Sequence, residues 1–453
     1  MPLKPELQAE ARGAFLRAVV MLVSGTALAH GLTALALPVL SRLYSPADFG
    51  LLAVFSSCLA VIASAACLRY DVAIPLPERD EDALHLLGLA LGCTLCVAAM
   101  VAIATLLAPG WIGAKLGQPS LSSYLWLLPI GVLLAGAYSA MQFWFVRQKG
   151  FAVLARTRVA QSAVSVGTQV GMGLLQPSPL GLLLGYVMNM GIACISLGRR
   201  LPRQLFRPSW QRMHQLASEY SRFPKYSTFE ALANTAAIQV PIVMIAAMAA
   251  PAEAGYLMMA MYVMQAPTAL IGTAIGQVYL SGAADEFRNA SLGAYTAKIL
   301  SGLLRAGLGP FLAIGILSPL LFGLLLGANW QRTGVLVSWM TPWFLMQFLA
   351  SPISMALHVT GHQRRAFVLQ VISLALRVLT VWAASALASS KLSEWYAISG
   401  FVVYLAYLAV VLHAVRSTGA DLFAALRSAV KITLAWAAAA TLLALALGMW
   451  MSA

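Results

Sequence analysis

The chain has 453 residues, 60% of them hydrophobic and 10% charged, with a mean hydropathy of +0.82. That composition excludes a soluble globular protein, and the apolar residues fall in runs of about twenty or more, the length that crosses a bilayer core. The formal charge of +14 raises a nucleic-acid reading, but basic residues beside apolar spans first test the positive-inside rule.

The first apolar run, about residues 14–40, is too long for the apolar region of a signal peptide and lacks a convincing cleavage site, so it reads as the first span. Thirteen spans are expected, at about 15–40, 48–70, 83–108, 121–146, 153–176, 179–198, 226–250, 254–280, 299–327, 333–358, 366–388, 393–416 and 430–451. With the N-terminus in the cytoplasm, the 29 Lys and Arg divide as 24 in the cytoplasm or at cytoplasmic ends of spans, 4 periplasmic (Arg42, Lys115, Arg332, Lys391) and 1 in mid-span, Arg377. The opposite orientation inverts the bias. Topology explains the charge, and no nucleic-acid partner is needed.

All five cysteines (Cys58, Cys67, Cys93, Cys96, Cys194) lie in apolar spans. Cys93 and Cys96 have redox or metal spacing, yet they sit inside a helix with no further Cys or His ligands, so small buried cysteines are expected and no metal site.

Loops are short. The longest break, residues 199–225, carries Arg199, Arg200, Arg203, Arg207, Arg212, Arg222 and Lys225 against one acid, Glu219. It divides the chain into a first lobe (1–198), a basic cytoplasmic linker (199–225), a second lobe (226–416) and a final segment (417–453) with an additional helix. A repeat accompanies the division. Leu37-Pro38-Val39-Leu40 precedes Pro46-Ala47-Asp48-Phe49-Gly50, and Val240-Pro241-Ile242-Val243 precedes Pro251-Ala252-Glu253-Ala254-Gly255. Six spans separate the copies, so the halves share orientation and the repeat is parallel. Asp48 and Glu253 fall in the first turn of the following helix, where a carboxylate complements the helix dipole. The run Glu78–Asp82 reads as a solvated acidic helix start.

Polar residues inside spans face other helices or water. Thr26, His30, Thr33 and Ser41 share one side of the first span; Ser227, Thr228, Glu230, Asn234, Thr235 and Gln239 cover about half the circumference of the seventh; Gln265, Thr268, Gly272, Gly276 and Tyr279 stripe the eighth. These stripes either line a water-filled cavity or pack helix on helix. For the seventh span the arc is too wide for packing alone.

Three stretches carry a family resemblance: Leu40-Ser41-Arg42-Leu43-Tyr44-Ser45-Pro46-Ala47-Asp48-Phe49-Gly50, then Arg69-Tyr70-Asp71-Val72-Ala73-Ile74-Pro75-Leu76-Pro77, then Arg222-Phe223-Pro224-Lys225-Tyr226-Ser227. With the six-plus-six repeat, the sequence resembles the polysaccharide-export branch, with its Wzx-type oligosaccharide flippases, of the multidrug/oligosaccharidyl-lipid/polysaccharide exporter superfamily. The resemblance covers the first twelve spans. It implies an all-α polytopic membrane protein, two six-helix lobes in parallel repeat around a central cleft as in MATE transporters; that family usually has twelve or fourteen spans, so either the thirteenth run is an appended helix or one of the thirteen is not a span. It also implies a multi-pass protein of the bacterial inner membrane that flips an undecaprenyl-pyrophosphate-linked oligosaccharide for surface polysaccharide or O-antigen synthesis. Its partners would be that lipid-linked cargo, the bilayer, and polysaccharide polymerase and chain-length proteins.

Two other readings stand beside it. A drug/cation antiporter of the same superfamily would favour several buried carboxylates, and only Glu230 lies clearly within a span. A membrane glycan polymerase, ligase or glycosyltransferase needs catalytic groups on a sizeable periplasmic loop, and none is long enough, so an enzyme is not expected. No Walker motif is present and no cofactor is called for.

On the flippase reading, Arg69, Arg222 and Lys225 form a polar mouth that recruits pyrophosphate, or they anchor the helices at the interface by snorkelling. Asp71 holds a neighbour in place or, with Glu230, couples transport to an ion; Glu230 alternatively bonds Asn234. Thr26, His30, Thr33, Asn234, Gln239 and Gln265 line the cavity. Arg377 lies about 18 Å into its span at 1.5 Å per residue. It contacts the anionic head of the cargo, or forms a fixed pair with Glu230 or with helix carbonyls.

Overall fold

The computed structural model describes residues 5–202, 209–268 and 272–452. Arg203 and Arg207 of the basic linker lie outside the described residues. In chain order the helices are α1 (Pro5–Leu43), α2 (Pro46–Ala66), α3 (Tyr70–Ala73), α4 (Asp80–Leu107), α5 (Pro109–Lys115), α6 (Leu127–Arg147), α7 (Phe151–Leu175), α8 (Pro179–Gly198) and α9 (Trp210–Glu219). There follow α10 (Thr228–Met248), α11 (Glu253–Pro267), α12 (Thr273–Arg288), α13 (Leu292–Leu326), α14 (Gln331–Ile353), α15 (Ala356–Val359), α16 (Gln363–Leu387), α17 (Leu392–Ala414) and α18 (Gly419–Ser452). No strand occurs among the described residues.

Among the described residues, ten of the helical stretches are long and apolar enough to cross a membrane. The other three expected spans fall on α7 and α14, which carry more polar residues, and on the α11–α12 pair, each member of which is short. Among the described residues, helix therefore falls at each of the thirteen expected positions. Prolines mark the starts: Pro46 opens α2, Pro109 opens α5 and Pro179 opens α8, where the missing N–H removes no intrahelical bond. The Ser45 N–H and hydroxyl both donate to Asp48 at 2.8 Å, and the Asp48 N–H donates back to the Ser45 hydroxyl. Asp48 thus acts through a capping box as well as through the dipole.

The chain forms two compact units. The first comprises the chain up to Ala36 together with Val54–Gln239; the second comprises Leu37–Ala53 and the chain from Val240 onward. The unit boundaries therefore cut α1, α2 and α10 rather than falling at the basic linker. One physical reason is the repeated turn. Inside the second unit a methyl group on Gly50 would strike the carbonyl oxygen of Pro251, and one on Gly255 would strike that of Pro46. The two Pro-Ala-acid-x-Gly copies meet reciprocally, backbone against backbone, and only residues without a Cβ permit that approach.

In the first unit the core gathers around Leu84, Leu87, Met141, Trp144, Phe145 and Leu216. Leu216 belongs to α9, so part of the expected linker is an amphipathic helix packed on this core. Arg212 clamps it down, donating to both carboxylate oxygens of Asp82 at 2.7 and 2.8 Å. Its own pKa rises, chiefly through that hydrogen bond. The run Glu78–Asp82 is correspondingly more than a solvated helix start: Asp82 holds Arg212, and Asp80 pairs with Arg147 at 2.8 Å. In the second unit α13 packs against α14 and α18. Ser301 and Ser428 bond across the α13–α18 seam at 2.8 Å, which seats the thirteenth helix. The cysteine expectation needs correction: only Cys67 is buried, and Cys96 is exposed. Lipid solvates an apolar thiol, so an outward-facing position costs it little.

Candidate functional site

The first unit concentrates its polar side chains where α1 meets α7. The Thr33 and Ser162 hydroxyls lie 2.9 Å apart, and both donate to the Ala29 carbonyl. Arg158 donates through Nη1 to the Thr26 hydroxyl and lies within hydrogen-bonding reach of Tyr138 on α6, which Gln161 also approaches. Gln161 then donates to Asn189 on α8 at 3.1 Å, and Thr157 meets Ser196 at 3.1 Å. His30, exposed one turn beyond Thr26, feels the Arg158 charge. The stripe Thr26–His30–Thr33 is thus one wall of a network whose other wall is α7.

Sequence reasoning missed that second wall. Arg158 was counted among residues at cytoplasmic ends, although it lies seven residues inside α7, about 10 Å along it. The available signal was the run Arg158, Gln161, Ser162, Ser165, Gln169, which repeats at helical spacing.

The Arg69-Tyr70-Asp71 stretch forms a knot at the end of α2. Leu68 and Arg69 take left-handed backbone conformations, with φ of 48° and 61°, and this reverses the chain into α3. Asp71 is 3% exposed; one oxygen accepts from Ser139 at 2.6 Å and the other has no partner. The neighbour it holds is therefore Ser139. The Tyr70 hydroxyl donates to the Ala217 carbonyl on α9 at 3.2 Å, and Arg147 donates to the carbonyls of Pro75 and Pro77. Arg69 is half-buried, and its Nε has no partner.

Before α10, residues Phe223–Ser227 form a π-helical turn, a device that accompanies functional helix irregularities. Arg222, Lys225, Glu230 and Asn234 are all exposed there. Gln239 accepts a hydrogen bond from Ser57 of α2 at 2.8 Å, so it packs helix on helix.

The second unit places Gln265 exposed on α11 and Arg377 in an aromatic box. The Arg377 guanidinium lies 4.8 Å from the Trp343 ring, 5.6 Å from Tyr396 and 5.9 Å from Tyr404. A methyl group on Gly400 would strike the Trp343 ring. Arg377 is 2% exposed, and no carboxylate pairs with it among the described residues; three rings enclose it, and its Nη1 donates to the Tyr396 hydroxyl at 3.5 Å. At the α14 start, Trp330 donates to the Ser41 carbonyl at 2.9 Å and presents its ring to Phe49 and Tyr256, the residues beside the two repeat glycines. Two residues on, Arg332 bridges Glu253 at 2.9 Å and Glu394 at 2.6 Å. Burial opposes the Arg332 charge, but hydrogen bonds to the two carboxylates outweigh it and raise its pKa. Glu253 is therefore held by an ion triad rather than by the dipole alone. An apolar cavity of about 340 Å³ opens between α11, α13 and α18, lined by residues including Val263, Leu317, Leu321, Phe322 and Trp436.

No curated protein sequence matches the chain. Among solved structures, it resembles the lipid II flippase MurJ in its inward closed conformation (TM-score 0.69, 13% identity, 97% of each chain). It also resembles an inward-facing MATE family multidrug resistance transporter of the MOP superfamily (0.60, 15%, 89% of this chain and 99% of that one). A third is a MOP superfamily transporter from Pyrococcus furiosus (0.56, 16%, 88% and 96%). The chain thus has the all-helical fold of these membrane transporters. The family described as polysaccharide biosynthesis protein matches residues 39–334, which is most of the chain, and the protein belongs to that family.

Proposed function

We propose that the protein flips an undecaprenyl-pyrophosphate-linked oligosaccharide across the bacterial inner membrane for assembly of a surface polysaccharide such as O-antigen. The observation that carries this reading is the coincidence of two findings: membership of a polysaccharide biosynthesis family, and a helix arrangement shared over 97% of the chain with a lipid II flippase. The polar network between α1 and α7 supplies hydroxyls, amides and a guanidinium for a sugar-phosphate cargo. The apolar cavity beside α18 supplies hydrocarbon contact for a polyprenyl tail. The 24-to-4 charge bias supports a cytoplasmic N-terminus. Arg222 and Lys225, exposed at the π-helical turn, then attract the pyrophosphate from the cytoplasmic leaflet, with Arg69 at the start of α3, which packs against that turn. Glu230 and Asp71 are the candidates for ion coupling, since no P-loop is present to hydrolyse nucleotide. Arg377 reaches cargo only in a conformation that uncovers it. Polymerase and chain-length proteins receive the flipped product.

Deleting the gene tests the reading. The expected strain lacks the surface glycan, accumulates the lipid-linked oligosaccharide on the cytoplasmic leaflet, and recovers on complementation. A deletion strain with intact glycan that becomes sensitive to cationic drugs would favour the antiporter reading, which the likeness to MATE transporters supports.

A further inference from the structure

Arg147 and Arg212 in the first unit, and Arg332 in the second, each meet a carboxylate at ion-pair distance. Arg377 is sealed among rings. Arg158 has neither arrangement. It is half-buried, about 10 Å inside a membrane-length helix, and no acid pairs with it among the described residues. Its contacts are neutral: the Thr26 hydroxyl and Tyr138. Such groups fix the direction of a guanidinium without cancelling its charge, and they use only part of its five N–H donors. Snorkelling does not account for the position, because both contacts draw the side chain onto α1 and α6 rather than toward a helix end. An ionisable residue at this depth marks a functional site by default, and what this one lacks is an anion.

We infer that Arg158, oriented by Thr26 and Tyr138, binds the phosphate oxygens of a pyrophosphate-bearing lipid; this rests on the flippase reading for the lipid and on the geometry for the anion. The planar fork of guanidinium bonds two phosphate oxygens at once, which an ammonium does not match. His30, one turn from Thr26 on α1, feels the charge of the same guanidinium and offers a further donor to the bound group. Thr26 is a positioning residue, and its loss weakens binding by misdirecting Arg158.

The test uses the full chain in lipid nanodiscs, with farnesyl pyrophosphate, farnesol and inorganic pyrophosphate as probes. Wild type should bind farnesyl pyrophosphate more tightly than farnesol. Arg158→Ala and Arg158→Gln should weaken the pyrophosphate lipid about tenfold or more and leave farnesol unchanged. Arg158→Lys and Thr26→Val should fall between, and Arg212→Ala should match wild type. Glutamine retains hydrogen bonding and bulk, so it decides the matter if the alanine protein is unstable. Competition by inorganic pyrophosphate that Arg158→Gln abolishes assigns the contact to the free anion as well as to the headgroup. Competition by the lipid form alone assigns it to the headgroup; both outcomes support the site. A folded Arg158→Gln protein that binds farnesyl pyrophosphate like wild type overturns it, even if the wild type exports glycan. Conversely, Arg158-dependent binding in a protein whose deletion leaves glycan export intact keeps the anion site and rejects the flippase reading.

Discussion

The reciprocal contact of the repeated turns is open to a direct stability test. Replacing Gly50 with alanine drives a methyl into the Pro251 carbonyl oxygen. Replacing Gly255 puts one 2.8 Å from the Gly50 nitrogen and 2.9 Å from the Pro46 carbonyl carbon. Ordinary carbon contacts need about 3.5 Å, and the atoms in the way are backbone beside proline, so the two turns must part by about 1 Å. Overpacking of that kind costs about 1–3 kcal/mol, against a helix-propensity gain of about 0.5–1 kcal/mol for glycine to alanine. Net destabilisation of about 1–2 kcal/mol is expected for each single variant. The double variant should cost less than the sum, because one separation relieves both clashes. Gly31 and Gly167, with open space where a Cβ would stand, are the controls: their alanine variants should be neutral or slightly stabilised. Thermal unfolding in detergent, ranked across the five proteins, reads the result. Gly50→Ala and Gly255→Ala proteins as stable as the Gly31 and Gly167 variants would refute the close approach.

Arg377→Met should insert normally and unfold near the wild-type temperature, since a hydrophobic replacement of similar volume is tolerated where a buried charge was boxed. Arg377→Ala should lose about 2–4 kcal/mol through the cavity it leaves among three rings; a fully stable alanine protein would contradict the aromatic box. Arg332→Ala leaves Glu394, 5% exposed, without its cation, and should destabilise by roughly 1–3 kcal/mol. Simultaneous Glu394→Gln should recover part of that loss, and absence of any recovery would reject the triad. A cysteine placed at Arg207 should react with a membrane-impermeant thiol reagent only when the cytoplasmic face is opened. Labelling of intact cells from the periplasmic side would invert the topology.

The large features were legible in the sequence because hydrophobic length is a local property. Runs of about twenty apolar residues announced the long helices, though not the amphipathic α9, and Pro-Ala-acid-x-Gly announced the turn that recurs six spans later. What the turn does was not legible. Gly50 and Gly255 are matched through a contact between segments two hundred residues apart, and nothing local to either glycine discloses it. The same holds for Trp330, whose role depends on the distant Ser41 carbonyl, and for Glu253, whose partner Arg332 looked like a stray periplasmic charge. Arg377 and Arg158 exchange weight for a related reason. Depth along the span singled out Arg377, but neighbours decide what a buried cation does: aromatic rings enclose one, while hydroxyls merely orient the other. Asp71 was recognised as a residue that holds a neighbour, though as the partner of Ser139 and not of a base.

The central claim is transport of a lipid-linked oligosaccharide, and reconstitution tests it most directly. Purified protein in proteoliposomes would be given a fluorescent undecaprenyl-pyrophosphate oligosaccharide incorporated in both leaflets, with a membrane-impermeant quencher added outside. The account predicts that, with a membrane potential imposed, label from the inner leaflet becomes quenchable at a rate set by the amount of protein, and that Arg158→Gln slows it. Labelled lipid that stays protected at the rate of protein-free vesicles under every imposed ion gradient would contradict it.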